Sequence, residues 1–117
     1  MVKKLPVEKI KNDILGKHYE LFFAFIDKNR SKFLNNKYRK INKATDILSF
    51  PLSKDCGEIL ICRDMAKIKA PKFGMTPANY LLFLVIHGCL HLKGLKHGVK
   101  MERYEFTHYS RYRHRNI

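Results

Sequence analysis

Three histidines between positions 87 and 97 constrain this chain more than any other feature of its sequence. His87 and His91 lie four residues apart, so a helix presents both imidazoles on one face. Gly94 can end that helix and let the chain bring His97 back beside them. Three imidazoles leave the fourth position of a tetrahedral zinc ion open to water, and an open position distinguishes catalytic zinc from structural zinc. The pattern predicts one Zn²⁺, although nickel, copper or iron accept the same nitrogen ligands.

The residues around the histidines predict a helix over positions 77–93. Thr76 is a suitable N-cap, and Pro77 suits the first helical position. An apolar run, Tyr80–Ile86, supplies enough side chains for a core without the imidazoles. Cys89 lies two positions from each of the first two histidines, so it points away from their face and is expected to pack in the core.

The residue after the first histidine argues against peptide hydrolysis, a common reaction at such a site. In the long zincin motif H-E-x-x-H-x-x-G-x-x-H this residue is a Glu that acts as the general base, and here it is Gly88. A peptidase of that type would lack the group that takes a proton from water. The substitution favours another substrate and leaves a metallopeptidase as the weakest alternative.

Length, charge and cysteine content narrow the class of protein. The 117 residues predict a single domain over 1–117, and the net charge of +14 is far larger than solubility requires. Such a charge favours RNA or a ribonucleoprotein as partner, the alternative being a basic surface without a specific partner. Cys56, Cys62 and Cys89 form no Cys-x-x-Cys pair, which indicates reduced thiols and a cytoplasmic protein. No signal-peptide h-region or bilayer-length apolar run is found, so no membrane partner is expected, nor any small-molecule cofactor.

In the remaining sequence, strand patterns are followed by helical patterns and two strands are linked by a short turn, which predicts an α+β fold. The segment 19–26 is expected to form a buried strand, Ser31 to cap the second helix, and Pro51 to end the second strand. Pro71 and Gly74 indicate a loop before the histidine helix. The predicted helices are 6–15, 31–39, 64–70, 77–93 and 99–113, and the predicted strands are 19–26, 46–50 and 58–62.

Four motifs in a fixed order resemble those of the YbeY family of bacterial rRNA maturation factors. They are LNNKYR at 34–39, ATDILSFP at 44–51, GEILIC at 57–62 and HGCLHLKGLKH at 87–97. The chain differs from the family pattern at Lys96, where the family usually has Asp, and it is shorter than usual, without a first strand before the first helix. These differences concern the surroundings of the last histidine and the edge of the sheet.

The resemblance implies a metalloprotease-like (zincin-like) domain with a small mixed sheet packed against helices. It also implies a zinc-dependent, single-strand-specific endoribonuclease that acts in 16S rRNA 3′-end maturation and ribosome quality control, with the small ribosomal subunit as partner. His87, His91 and His97 match the zinc ligands of the family, and Arg39 matches its functional arginine. A ribosome-assembly factor with weak or no catalysis and a structural metal is the alternative, and a fourth protein ligand would favour it.

Arg39 also suits this chemistry on physical grounds. Its guanidinium offers a bidentate fork to phosphate oxygens and can stabilise negative charge in the transition state, although cations near helix C-termini are common. Lys40 and Lys43 extend a basic run that can follow a phosphate backbone, or can simply be solvated. Glu58 is the nearest acidic candidate for a general base, with a surface ion pair as the alternative, and Asp46 suits a turn or strand cap.

The C-terminal segment 103–115 mixes cations with aromatic rings. This mixture suits single-stranded nucleic acid, because rings stack on bases while guanidinium groups hold phosphates. Alternatively, its aromatic residues pack the last helix onto the domain while the arginines face water. His108 and His114 are expected at the surface rather than as ligands.

Overall fold

The protein, described by a computed structural model over residues 5–113, is an α+β domain as predicted. Five helices surround a three-stranded sheet, and a short 3₁₀ turn follows the third helix. The helices are α1 (Val7–Leu15), α2 (Lys28–Arg39), α3 (Arg63–Lys69), α4 (Pro77–Leu92) and α5 (Val99–Tyr112). The strands are β1 (Glu20–Phe25), β2 (Ile47–Ser53) and β3 (Cys56–Ile61).

The sheet is mixed, with β3 in the centre. β3 pairs in parallel with β1 and antiparallel with β2. Because side chains alternate across the sheet, Ile59 and Ile61 belong to one cluster with α4, whereas Leu60 packs with Leu34 of α2 and Leu48 of β2 in a second cluster. The helix that carries the histidines and the helix that carries Arg39 therefore pack on opposite faces of one sheet.

Helix α4 forms the centre of the main core. Its side chains Leu82, Val85 and Ile86 are completely buried among α1, α5 and the sheet. Full burial of each such side chain contributes about 1.5–3 kcal/mol relative to exposure. This packing holds the helix rigidly, so the histidines at its end have a fixed base.

Strand β1 differs from the prediction of a buried strand. It lies at the edge of the sheet, and its side chains Phe22 and Phe25 are exposed. Its aromatic composition indicated a strand correctly, but the residues that cover a strand are decided by the neighbouring elements.

Strand β2 continues through Pro51, where the sequence predicted its end. Pro51 pairs opposite Gly57, and the register shifts between Pro51 and Ser53. A proline lacks the N–H that a central strand needs, but an edge strand with an irregular register tolerates it. The predicted strand end is therefore wrong by three residues.

The N-terminus of α2 lies before Ser31, which was expected to cap it. Asp27 is the N-cap, and its carboxylate accepts a hydrogen bond of 2.7 Å from the Arg30 backbone N–H. Ser31 is a buried residue of the first turn, and its hydroxyl donates to the carbonyl oxygen of Thr45 at 2.7 Å. The serine is thus used for a tertiary contact rather than for capping.

The chain between β3 and α4 is more regular than predicted. After α3, residues Ala70–Phe73 form a 3₁₀ turn where a loop was expected, and Gly74 ends it with a φ of +67°. Between residues 5 and 113, no single helix has the length and apolarity to cross a bilayer. The segments Arg63–Phe73 and Pro77–Leu92 meet those two criteria only together, as a pair bent by 102°.

Candidate metal centre and its cleft

The three predicted histidines come together in the structure. The ring centroids of His87, His91 and His97 are 5.3, 5.2 and 5.2 Å apart, which is nearly an equilateral triangle. One nitrogen of each ring lies within 4.8 Å of the other two. The cluster could therefore hold a metal ion.

The end of α4 places His97 in this triangle. Gly94 has a φ of +104°, its N–H donates to the His91 carbonyl at 2.9 Å, and the Leu95 N–H donates to the Leu90 carbonyl at 3.1 Å. These two bonds form a Schellman motif, which ends a helix and reverses the chain. Gly94 thus ends the helix as predicted, because residues other than glycine rarely adopt a φ of this sign.

The donor set fits a metal with an open coordination position. Within residues 5–113 the cluster has three members, and both His91 and His97 are exposed to solvent. Structural zinc sites are closed by four protein ligands, whereas catalytic sites have three. The arrangement found here corresponds to the second kind.

Glu105 of α5 orients His87, a contact that was not predicted. The His87 Nδ1 lies 2.5 Å from Glu105 Oε2, and both side chains are largely buried. When Nδ1 donates its proton to the carboxylate, Nε2 keeps its lone pair for a metal. The partners are 18 positions apart and show no local spacing pattern, so the sequence did not predict this pair.

Burial and neighbouring charge favour the neutral form of His91. Burial lowers the pKa of His91 below its ordinary value of 6.5, and the adjacent His87, His97 and Arg39 lower it further. Glu105 opposes these effects. A neutral imidazole is the form that binds a metal.

Arg39 lies in the same cleft as the histidines, as the sequence resemblance led us to expect. It is the last residue of α2, and it lines a cavity of about 640 Å³ together with Tyr38, Phe50 and the three histidines. A guanidinium in this position can hold a phosphate beside the three histidines. Neither Lys40 nor Lys43 lines this cavity, although both are exposed nearby.

Two buried side chains of α2 hold the segment that leads into β2. Ser31 bonds to both backbone groups of Thr45, and Asn35 Nδ2 donates to the Lys43 carbonyl oxygen at 2.8 Å. Side chains four residues apart lie on one helix face, so together they fix the loop against the helix. These bonds hold the position of Arg39 relative to the first residues of β2.

Asp46 ties the start of β2 to α4. It is a buried carboxylate that accepts a hydrogen bond of 2.6 Å from the Tyr80 hydroxyl, with Lys69 Nζ 3.7 Å away. Burial, together with the bond to Asp46, raises the pKa of Tyr80, so the phenol stays protonated as a donor. Asp46 and Lys69 both line the cleft, a placement that went beyond the predicted turn or cap role of Asp46.

Glu58 lies on the other face of the sheet from the histidines. It shares a groove with Leu34 and Leu60, and alternation along β3 directs it away from α4. The structure therefore does not bring this candidate base to the three histidines.

Gly88 and Cys89 face the protein interior. A Cβ atom at position 88 would lie 2.8 Å from Ile59 Cδ1 and 3.1 Å from Ile47 Cδ1, so the helix approaches the sheet closely at this glycine. Cys89 is completely buried, as predicted, and burial raises the pKa of its thiol to about 12. The thiol therefore stays protonated in the core and does not join the histidine cluster.

The aromatic residues of the C-terminal helix divide between packed and exposed positions. Tyr109 and Tyr112 pack against the main core, whereas Phe106 is 72% exposed. His108 is partly buried between α1 and α4, and it belongs to no metal cluster within residues 5–113. His114 lies outside the described residues.

Fold and site together define a small zincin-like α+β domain with an open three-histidine cluster. The sequence matches the family model described as Endoribonuclease YbeY over residues 2–113. The chain therefore belongs to the YbeY family.

Individual relatives agree with this assignment. A protein of Thermosipho melanesiensis named Endoribonuclease YbeY is 34% identical over 93 residues, which cover 78% of this chain and 67% of that protein. A protein of Staphylococcus carnosus with the same name is 36% identical over 102 residues, which cover 77% and 63%. A Thermotoga maritima protein solved in solution is similar with a TM-score of 0.65 and 28% identity, over 89% of this chain and 77% of that one. The chain spans roughly two thirds of the length of these curated relatives.

Proposed function

We propose that this protein is a zinc-dependent, single-strand-specific endoribonuclease that acts on ribosomal RNA. Its place would be 16S rRNA 3′-end maturation and ribosome quality control in the cytoplasm, in contact with the small ribosomal subunit. The observation that carries the proposal is the solvent-open histidine triangle in one cleft with Arg39. The family and the net charge of +14 support an RNA substrate.

The side chains divide the work as follows. His87, His91 and His97 would hold one zinc ion, which supplies Lewis acidity toward a phosphodiester. Glu105 fixes the tautomer and the ring orientation of His87. Arg39 would bind the scissile phosphate with two parallel N–H bonds and stabilise the charge that develops during cleavage. Lys40 and Lys43 would hold the RNA backbone beyond the cleft.

Two other functions use the same residues and are less well supported. A non-catalytic assembly factor would suit a structural metal, but the three-membered, exposed cluster favours an open site. A metallopeptidase would need a base at position 88, where the glycine packs against Ile59.

The first test removes one ligand. His91→Ala should abolish stoichiometric zinc binding and RNA cleavage while leaving the helical content, because His91 is exposed and α4 is held by its buried face. Metal content is measured on protein made without an affinity tag, and cleavage is followed on purified rRNA. His18→Ala, at an exposed histidine in the turn before β1, is the matched control and should retain both properties.

Two results would contradict the proposal. Full zinc occupancy in His91→Ala would refute the ligand assignment. Metal-loaded wild-type protein that leaves rRNA intact would refute the nuclease, and cleavage of casein by the same preparation would favour the peptidase.

A further inference from the structure

We propose that a second groove, on the sheet face opposite α4, binds the part of an unpaired RNA strand that extends beyond the scissile phosphate. The inference rests on the proposed nuclease function and adds the route of the substrate. The groove is a cavity of about 510 Å³ between α2 and strands β2 and β3, and its lining includes Arg30, Leu34, Tyr38, Phe50 and Leu52.

The groove adjoins the histidine cleft. Tyr38 and Phe50 line both cavities, and their rings meet edge to face with centroids 5.2 Å apart. A strand whose phosphate is held at Arg39 can therefore pass over this ring pair into the groove. From Arg39 back to Arg30, α2 extends about 13 Å. That length accommodates roughly four stacked bases at about 3.4 Å each.

Two aromatic residues beside the groove are largely exposed. Tyr38 is 58% exposed and Phe33 is 56% exposed, so more than half of the surface of each residue faces solvent. Rings that are not needed for the core are costly to expose, and clustered ones mark interaction surfaces. Bases of any identity can stack on such rings, which suits a strand of varied sequence.

Cations accompany these rings. Arg30 Cζ lies 5.7 Å from the centroid of the Phe33 ring, and Lys37 Nζ lies 5.3 Å from that of Tyr38 and 6.0 Å from that of Phe33. Among the residues that the structure describes, Glu58 is the one carboxylate in the lining of the groove. Alternating rings and cations complement the bases and phosphates of a single strand, whereas an apolar protein partner would leave the cations unpaired.

The test compares short and long ligands. Phe33→Ala and Arg30→Ala change exposed residues outside the histidine cleft, so folding and catalytic groups should be unaffected. The control variants are Phe25→Ala and Arg63→Ala, at an exposed ring and the exposed cation that packs on it, outside both cavities. Zinc-loaded protein is titrated with fluorescent 2′-O-methyl oligouridylates of 2 and 12 nucleotides, of which the shorter cannot fill the cleft and the groove together. Single-turnover cleavage of unmodified RNA is measured at saturating enzyme.

We expect the groove variant that combines Phe33→Ala with Arg30→Ala to lose at least about fivefold in affinity for the 12-mer. A loss of this size corresponds to one lost stacking contact. Its affinity for the dinucleotide and its cleavage rate at saturating enzyme should match wild type, and the control variants should change neither affinity. Unchanged 12-mer affinity in the groove variant would overturn the inference, as would an equal loss for both lengths. Loss of binding to the small subunit with unchanged RNA affinity would assign the groove to a protein partner and also overturn it.

The two proposals fail in different ways. Wild-type protein that neither binds nor cleaves single strands overturns the nuclease function itself. Wild-type protein that cleaves RNA, with groove variants that bind the 12-mer normally, overturns only the route of the strand.

Discussion

At the scale of single residues, the site depends on side chains whose partners are far away in the chain. His87 meets Glu105 of the following helix, and Arg39 reaches the histidine cleft from the other side of the sheet. For each of Arg39 and Glu105, a conservative substitution can remove one chemical property of the side chain while keeping its approximate size. Arg39 differs from a lysine in its planar fork, and Glu105 differs from a glutamine in its charge.

For Arg39→Lys, we expect turnover to fall much more than RNA affinity. Lysine keeps the point charge but loses the bidentate fork that, in the proposed function, would stabilise charge at the scissile phosphate. Loss of such a donor typically reduces the rate by about 10²–10³. Single-turnover cleavage and salt-dependent RNA binding are measured on the same variant. Unchanged cleavage at saturating enzyme would show that Arg39 only binds, and would make the assembly factor the better proposal.

For Glu105→Gln, we expect zinc affinity to fall by about 10–100-fold. The amide can still accept the His87 N–H, but it lacks the charge that makes the opposite ring nitrogen a stronger ligand. Affinity is measured by competition with a chromophoric chelator, which requires no activity. Glu102→Gln, on the same helix and exposed, is the matched control. Equal zinc affinity in both variants would show that Glu105 does not act through His87.

At the scale of elements, α4 has two faces with separate purposes. Its buried face packs against β3 and α1, and its last two turns present His87 and His91. Gly88 belongs to the first face, because its backbone lies against Ile59. The position that carries the general base in zincin peptidases is therefore a glycine here, and it packs against the core.

We expect Gly88→Glu, which restores the zincin motif, to unfold the domain rather than create a peptidase. The side chain would displace Ile59 and place an unpaired carboxylate in the core, at a cost of about 3–5 kcal/mol. Gly88→Ala adds only the steric conflict and should destabilise less, since alanine regains about 1 kcal/mol of helix propensity. Urea unfolding of both variants measures the difference. A Gly88→Glu protein as stable as Gly88→Ala would contradict this account of the helix–sheet contact.

At the scale of the whole molecule, the packing of three helices decides how stability varies with pH. His108 of α5 lies between α1 and α4, and its Nδ1 has no hydrogen-bond partner among the described residues. Burial lowers its pKa below the ordinary value of 6.5, Arg111 and Lys93 lower it further, and Asp13 opposes them. The folded protein thus disfavours a proton that the unfolded chain accepts.

We expect this histidine to cost stability in acid. The pKa of His108 is lower in the folded protein than in the unfolded chain, so well above pH 6.5 the residue is neutral in both states and does not affect the free energy of unfolding. As the pH drops through 6.5 toward the lower folded pKa, the unfolded chain binds the proton first and the free energy of unfolding falls. His108→Gln should lose less stability than wild type between pH 7.5 and 5.5, as measured by urea unfolding. Equal losses in the two proteins would show that His108 is not responsible.

Most of the metal site was predictable from the sequence because its geometry is local. Helical spacing places His87 and His91 on one face, and Gly94 reverses the chain for His97 within six residues. The elements were also predictable in kind. Their boundaries were less so, as Ser31 and Pro51 show, because the first is used in a tertiary hydrogen bond and the second is tolerated at a sheet edge.

The sequence by itself determined the helix that carries the histidines, its terminal turn and the α+β composition, since these follow from interactions between residues close in the chain. Only the tertiary structure decided that Glu105 supports His87, that Asp46 bonds to Tyr80, and that Glu58 faces away from the site. It also decided that β1 lies at an edge and that Tyr38 joins two cavities. These contacts depend on which faces of the helices and strands pack together, and no spacing along the chain encodes that choice.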